Sequence, residues 1–202
     1  MTIRKGSDYG DRRSLAQGSP IATSDAELHD LIADARNSGC LPITIGLVGG
    51  DLCRTLGGPG DRARLFGDEA RQFPIDLILA TVDGSEYPVV SHLIAGTPFG
   101  RNFASAMNAQ WWGALDLGPR SHPGDGLIDL TTGSLRFRQR HAAIRRARTG
   151  THLPHPMLSY RRASTASFDF DRPTRIVIDS TVKMVAKSVS LAVEPDAFSV
   201  VV

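Results

Sequence analysis

The chain of 202 residues is long enough for one hydrophobic core, or for one domain and part of a second. Its 41% hydrophobic and 22% charged residues are typical of a soluble globular protein. A formal net charge of +2 is too small to indicate nucleic-acid binding by itself. Cys40 and Cys53 have neither metal-site spacing nor a disulfide pattern, and no signal peptide or membrane-spanning run is visible. We expect reduced, buried thiols in a soluble cytoplasmic protein that could contact a membrane only peripherally.

The first third of the chain predicts an α/β fragment. Ser24 and Glu27 form a capping-box pattern ahead of apolar residues at helical spacing. The nearly continuous apolar run "LPITIGLV" (41–48) predicts a buried strand. After a Gly-Gly turn, "DLCRTLGG" (51–58) predicts one or two turns of helix. The predicted order is therefore helix, strand, glycine turn and short helix.

Strands dominate the chain from residue 75 onwards. The predicted strands are residues 75–83, 87–96, 102–112, 126–132, 166–170 and 174–179. One basic helix, predicted at 134–150, interrupts them. The segment "VSLAVEPDAFSVVV" (189–202) has a Glu-Pro-Asp-Ala turn between two β-rich arms and predicts a hairpin. Strands at this density, separated by Gly, Pro and Asp turns, predict a β-sandwich.

Four segments, read in order, resemble the diacylglycerol kinase family of bacterial lipid kinases. They are "LPITIGLVGGDLCRTLGG", "NAQWWGALDLGPRSHPGDGLIDL", "RTGTHLPHP" and "IVIDSTVK". They are similar to the family's Gly-Thr-x-Asn-Asp-Phe-Ala-Arg region, its acidic Asp-Asp-Gly turn, its Gly-x-His-x-x-His-Pro loop and its Asp-Gly-Glu. The resemblance covers roughly residues 41–202. It implies an α+β fold: a leader and remnant nucleotide-binding α/β segment (1–65), then a mainly β-sandwich domain of lipid-kinase type (66–202).

The nucleotide-binding half departs most from the family pattern. The family's Gly-Gly-Asp-Gly-Thr phosphate loop is absent, and "ATSDAELHDL" is its nearest counterpart. Gly49, Gly50 and Asp51 remain as candidates for the nucleotide site, because a glycine turn before a helix can present N–H groups to phosphate. The alternative is that the two glycines merely connect a strand to a helix. ATP and Mg²⁺ are the cofactors that the kinase interpretation implies.

Two acids are candidates for catalysis and metal binding. Asp179 ends the strand "TRIVID", where the resemblance places the family's catalytic base, but Thr181 replaces the helper acid two residues on. In the acidic turn, Gly124 replaces the first aspartate and leaves Asp125 as the metal candidate. Either acid could instead simply close a turn. Strand alternation predicts that the nearby Asp129 faces solvent.

Two other groups of residues are candidates for ligand binding. His152 and His155 fit a rigid loop better than a zinc site, because no other ligands group with them. The basic helix could lie on an anionic lipid surface, or could be a solvated face with salt bridges to nearby acids. Its arginines are Arg136, Arg138, Arg140, Arg145, Arg146 and Arg148. No stacking aromatic residues interleave with them, so nucleic acid is not the expected partner.

Three functions follow from these residues and from the resemblance. The first is a lipid kinase-like protein, catalytically impaired, that binds lipid, a membrane surface or a protein partner. The second is an active ATP-dependent kinase of diacylglycerol or a related lipid alcohol, completed by another chain. The third is a structural or interaction β-domain that forms a homo-oligomer through an exposed sheet edge.

Overall fold

The computed structural model describes residues 9–202. Its helices are α1 Asp25–Asn37, α2 Gly50–Thr55 and α3 Phe137–Ala147, with a 3₁₀ turn at Arg64–Phe66. Its strands are β1 Asp11–Arg12, β2 Ile21–Ala22, β3 Thr44–Leu47, β4 Arg71–Val82, β5 Ser85–Val89, β6 His92–Ala95, β7 Phe103–Met107, β8 Trp111–Trp112, β9 Leu115–Asp116, β10 Ile128–Gly133, β11 Leu158–Ala163, β12 Thr165–Ile178 and β13 Val182–Val201. Within these residues, no helix is long and apolar enough to cross a membrane.

One curled sheet organises the fold. Its main path runs β1-β4-β13-β12-β6-β7-β10-β11, with β5 paired to β4, and β3 paired to β13 and β2. The short hairpin β8–β9 lies outside this sheet. The α+β, mainly β fold class predicted from the sequence is confirmed, and its sandwich is built from a single continuous sheet.

Strand β4 shows why the sheet can separate two cores. Ile75, Leu77 and Leu79 pack in the core beneath α1 and α2. Ile78 and Ala80 pack in the second core, inside the curl of the sheet. Successive side chains of a strand point to opposite faces, so a strand covered on both sides reads as one apolar run. The continuous apolar run "IDLILATV" is therefore explained by the burial of both faces of β4.

The first core joins the two ends of the sequence. Leu28 and Ile32 of α1 and Ile45 of β3 pack with Phe198 and Val200 of β13. The end of β13 pairs in parallel with β3 and antiparallel with β4. Segments 9–65 and 66–202 thus share a sheet and a core, and the boundary at residue 65 stays a prediction. Residues 1–8 of the predicted leader lie outside the described residues.

The predicted C-terminal hairpin is wrong. Residues 189–201 belong to the single strand β13, which pairs with β4 on both sides of a bulge. Three residues of β13 lie between the pairs Glu194–Leu77 and Phe198–Ile75, where β4 has one. Asp196 has a positive φ of 52°, and its N–H donates to the Asp76 carboxylate at 2.9 Å. The Glu-Pro-Asp-Ala segment therefore makes a bulge, and the Asp196 amide in it donates to a side-chain acceptor.

Helix α3 covers the outside of the sheet near β7. Its Ala143 and Ala147 pack with Phe99, Phe103 and Leu135 in a third core cluster. The helix begins three residues later and ends three residues earlier than predicted. Its small residues face the protein, so its arginines lie on the remaining surface.

Candidate functional site

Asp179 lies in the tight turn between β12 and β13, and its side chain is completely buried. Its carboxylate accepts the backbone N–H groups of Val90 and Ser91 at 2.8 Å and of His92 at 2.9 Å. One of its oxygens also lies 3.1 Å from Nδ1 of His29. This carboxylate therefore fastens the β12–β13 turn to α1 and to the connection between β5 and β6.

Asp25, the first residue of α1, caps a different helix from its own. Its carboxylate accepts the N–H groups of Asp51 at 2.6 Å and Leu52 at 3.1 Å, at the start of α2. The Ser91 hydroxyl also donates to it. These amides are the groups that would cradle a phosphate in the nucleotide-binding interpretation. In this structure their acceptor is a carboxylate of the chain itself.

The Gly49–Gly50 turn permits this close approach. A Cβ on Gly49 would lie 2.1 Å from the Thr23 carbonyl oxygen. A Cβ on Gly50, which has a φ of 91°, would lie 2.7 Å from the Asp25 nitrogen. The two glycines thus have a packing role beside Asp25. The assignment of Gly49, Gly50 and Asp51 to nucleotide binding stays a prediction.

Asp25, Asp51 and His92 form a compact polar cluster, in which one ligand atom from each lies within 4.8 Å of the others. Asp51 Oδ2 lies 3.3 Å from His92 Nε2 and accepts the Gly113 N–H at 2.8 Å. Burial raises the pKa of Asp25 above its ordinary value, despite its hydrogen bonds. Burial acts to raise the pKa of Asp51 as well, but the hydrogen bond with His92 helps to bring it below the ordinary value.

The His92 imidazole is held among three carboxylates. Burial acts to lower its pKa, but the hydrogen bond to Asp51 and the charges of Asp179 and Asp25 raise it above the ordinary value. Its Nδ1 lies 4.0 Å from Asp179 Oδ1 and has no hydrogen-bond partner within residues 9–202. The site can therefore hold positive charge, as a proton on His92 or as a bound cation.

Asp125 belongs to a separate network. One carboxylate oxygen accepts the Leu127 N–H at 3.0 Å, and the other pairs with the Arg162 guanidinium. Arg162 also contacts Asp129, which the Tyr160 hydroxyl contacts too. The expectation that Asp129 faces solvent is wrong, because its side chain is buried against these partners. The contacts of Asp125 fit an ion pair better than a magnesium site, and its metal assignment stays a prediction.

The arginines of the basic helix lie around α3 and its two ends. Arg138 and Arg145 are exposed and seven residues apart, so they share the face opposite Ala143 and Ala147. Arg140 donates to the Pro98 carbonyl oxygen at 2.9 Å. Among the residues that the structure describes, none of the six helix arginines has an acidic partner within salt-bridge distance.

A groove of about 550 Å³ is lined by residues of β6, β12 and the turn that contains Asp179. Ile94, Trp112 and Val177 give it an apolar lining, and Arg175 and Lys183 add two cations. Pro98, which accepts the hydrogen bond of Arg140, also lines it. The groove thus combines apolar surface with positive charge beside the basic helix.

Comparison with known proteins shows the fold. No family model matches the sequence, and no curated protein matches it. Two solved structures from Bacillus anthracis str. Sterne, each described as "a putative diacylglycerol kinase", superimpose with a TM-score of 0.59 at 12% identity. They cover 89% of this chain and 75% and 76% of their own. The chain has the diacylglycerol kinase fold. The resemblance seen in the sequence is confirmed at the level of the fold.

Within this diacylglycerol kinase fold, the structure brings together residues that lie far apart in the sequence. Asp51 and Asp179 are linked through His92, whereas Asp125 makes its contacts elsewhere. His29, Ser91 and His92 are site residues that the sequence pattern did not predict. The available signal was the pair Ser91-His92 inside the apolar run "YPVVSHLIAG", where buried polar residues need partners.

Proposed function

We propose that this protein is a lipid kinase-like protein that docks on an anionic membrane surface and does not itself transfer phosphate. The observation that carries the proposal is the set of arginines on α3, which have no acidic partner in residues 9–202. Each cation near an anionic surface contributes roughly 1 kcal/mol to binding. Among residues 9–202, no acid lies within salt-bridge distance to support the alternative of a neutralised basic face.

An exposed aromatic residue beside the arginines supports a lipid partner over a soluble polyanion. Phe137, the first residue of α3, is 75% exposed. A basic helix with an apolar flank can insert that flank between lipid headgroups. The neighbouring groove could then receive part of one anionic lipid, with Arg175 and Lys183 near its headgroup.

Two observations support the loss of phosphoryl transfer. The α2 amides that could hold a phosphate already donate to Asp25. Asp179, the counterpart of the family's catalytic base, is fully buried and accepts three backbone N–H groups. A general base must reach the hydroxyl that it deprotonates, directly or through one water molecule. Neither feature suits a working kinase site.

Vesicle binding tests the membrane proposal. Vesicles containing phosphatidylserine should bind the wild type, with an affinity that falls as salt is added. Arg138→Gln/Arg145→Gln should weaken binding about 30-fold, the equivalent of roughly 1 kcal/mol per charge. The control Arg62→Gln/Arg71→Gln removes the same charge from exposed positions outside α3. Equal losses in the two doubles, or no binding by the wild type, would contradict the proposal.

A titration with ATP–Mg²⁺ tests the second part. Calorimetry should show no binding up to millimolar nucleotide. Saturable, Mg²⁺-dependent binding that is weakened by Asp179→Asn would instead favour the active lipid kinase.

A further inference from the structure

The geometry points to a binding site for a divalent transition-metal ion, of the Zn²⁺ class, formed by Asp25, Asp51 and His92. The site is independent of the membrane surface on α3. Its ligands come from three elements, the N-terminal turns of α1 and α2 and the first residue of β6. Residues on separate packed elements hold their positions without the ion, so little ordering is needed when it binds.

The donor atoms lie close to the spacing that such an ion requires. One ligand atom from each residue lies within 4.8 Å of the others. Zn²⁺ binds imidazole nitrogen and carboxylate oxygen at about 2.0–2.2 Å, so the donor atoms must move inward when the ion binds. The ion would replace the direct contact of 3.3 Å between His92 Nε2 and Asp51 Oδ2.

The distribution of charge favours a cation at this place. Asp25, Asp51 and Asp179 surround the buried ring of His92. Arg54 is the cationic group that acts on Asp51. Burying carboxylates without compensating charge is unfavourable. A divalent ion would supply two positive charges where the negative groups converge.

The two ring nitrogens of His92 have the environments that a metal-bound histidine requires. Its Nε2 faces Asp51 in the cluster, while Nδ1 is buried, has no hydrogen-bond partner within residues 9–202 and lies 4.0 Å from Asp179 Oδ1. Metal-bound histidines usually present their second ring N–H to a carboxylate, which orients the ring. Asp179 is placed to serve as that carboxylate, as a positioning residue behind the ligand.

The donor set selects the class of ion. Mg²⁺ and Ca²⁺ prefer sites made entirely of oxygen ligands. One imidazole with two carboxylates suits Zn²⁺ and its transition-metal neighbours better. Asp51 keeps 17% of its side chain exposed, which provides a route from solvent and room for a water ligand.

Calorimetric titration of the chelator-treated full chain with Zn²⁺ tests this site. One ion should bind per chain. His92→Gln and Asp51→Asn should each weaken binding at least 100-fold. Asp179→Asn should weaken it 10- to 100-fold through the orientation of His92. The matched control is His141→Gln, an exposed histidine on α3, which should leave binding unchanged. Absence of Zn²⁺ binding, or equal losses in His92→Gln and His141→Gln, would overturn the proposal.

X-ray absorption by the Zn²⁺-loaded wild type provides a test that needs no variant. The expected spectrum has one imidazole and the remaining ligands oxygen. Two or more imidazoles, or none, would overturn the site even if the buried substitutions prevent folding.

Discussion

Asp25 and Asp179 act on the backbone, as acceptors for N–H groups from distant segments. Asp25 receives two amides of α2, and Asp179 receives three from the link between β5 and β6. Hydrogen bonds to a charged acceptor are stronger than those between neutral groups, and a buried donor that loses its acceptor is costly. The hydrogen bonds to the backbone are therefore a structural reason for a carboxylate at each of these two positions.

His152 is a buried histidine whose burial makes stability depend on pH. Neither ring nitrogen has a hydrogen-bond partner in the described part of the chain, and burial lowers its pKa to about 4. In the unfolded chain the pKa is near the ordinary 6.5. Between these values the unfolded state binds more protons. The contribution of His152 to stability is therefore complete above about pH 6.5 and is lost as the pH falls toward 4.

We predict that His152→Leu reduces this pH dependence. From pH 6.5 downwards, the free energy of unfolding of the wild type should fall relative to the variant, by up to about 1.4 kcal/mol per pH unit. Urea unfolding at pH 7, 6, 5 and 4.5 measures the difference. Parallel curves for the two proteins would contradict the prediction.

Single residues of the site could be predicted only where their neighbours in sequence gave the signal. Asp179 stands out because it ends an apolar strand, and Gly49–Gly50 because it ends another. His29 contacts Asp179 across 150 positions, so no local pattern could pair them. The same holds for His92, whose three surrounding carboxylates come from three other segments.

The Gly49–Gly50 turn connects β3 to α2 and packs closely against Thr23 and Asp25. We predict that Gly50→Ala lowers the free energy of unfolding by at least 2 kcal/mol, because its positive φ and its contact with Asp25 both resist a Cβ. Gly57 also has a positive φ, 75°, but a Cβ there would meet no atom within 4 Å. Gly57→Ala should therefore cost only about 1 kcal/mol. Urea unfolding compares the two variants, and equal losses would show that close packing is not the reason for Gly50.

The type of an element could be predicted where one hydrophobic periodicity persists along it. The boundaries of strands were predicted wrongly where a strand contains a bulge. The helical spacing in α1 and the apolar run in β4 both identified the correct type of element. The predicted strands 166–170 and 174–179 are one strand, β12, with a register shift between Asp169 and Thr174. Turn residues mark bulges as well as hairpins. Only the partner strand tells the two apart.

At the scale of the whole molecule, the mainly β class could be predicted and the topology could not. The density of short apolar segments was sufficient for the class. The position of β13 depends on pairing with β3 and β4, more than 100 residues earlier. The local sequence pattern does not show which strands lie beside β13, because an edge strand and a central strand can have similar amino-acid compositions.

We predict that β13 tolerates charge at its exposed positions and not at its buried C-terminal end. Val200 is completely buried between β3 and β4, whereas Val185 on the same strand is 60% exposed. Val200→Asp should abolish the cooperative unfolding transition, because it buries an unpaired charge. Val185→Asp should stay within about 1 kcal/mol of the wild type. Circular dichroism with urea measures both, and a cooperative transition in Val200→Asp would contradict this account of the core.

The placement of β13 between β3 and β4 also sets the order of events during translation. The first core cannot close until residue 201 has left the ribosome, although most of its other residues emerge much earlier. At a translation rate of about 5–20 residues per second, β13 is complete roughly 6 to 24 s after β4. During that interval the apolar faces of α1 and β4 depend on a chaperone, or on temporary contacts within the nascent chain, to avoid aggregation.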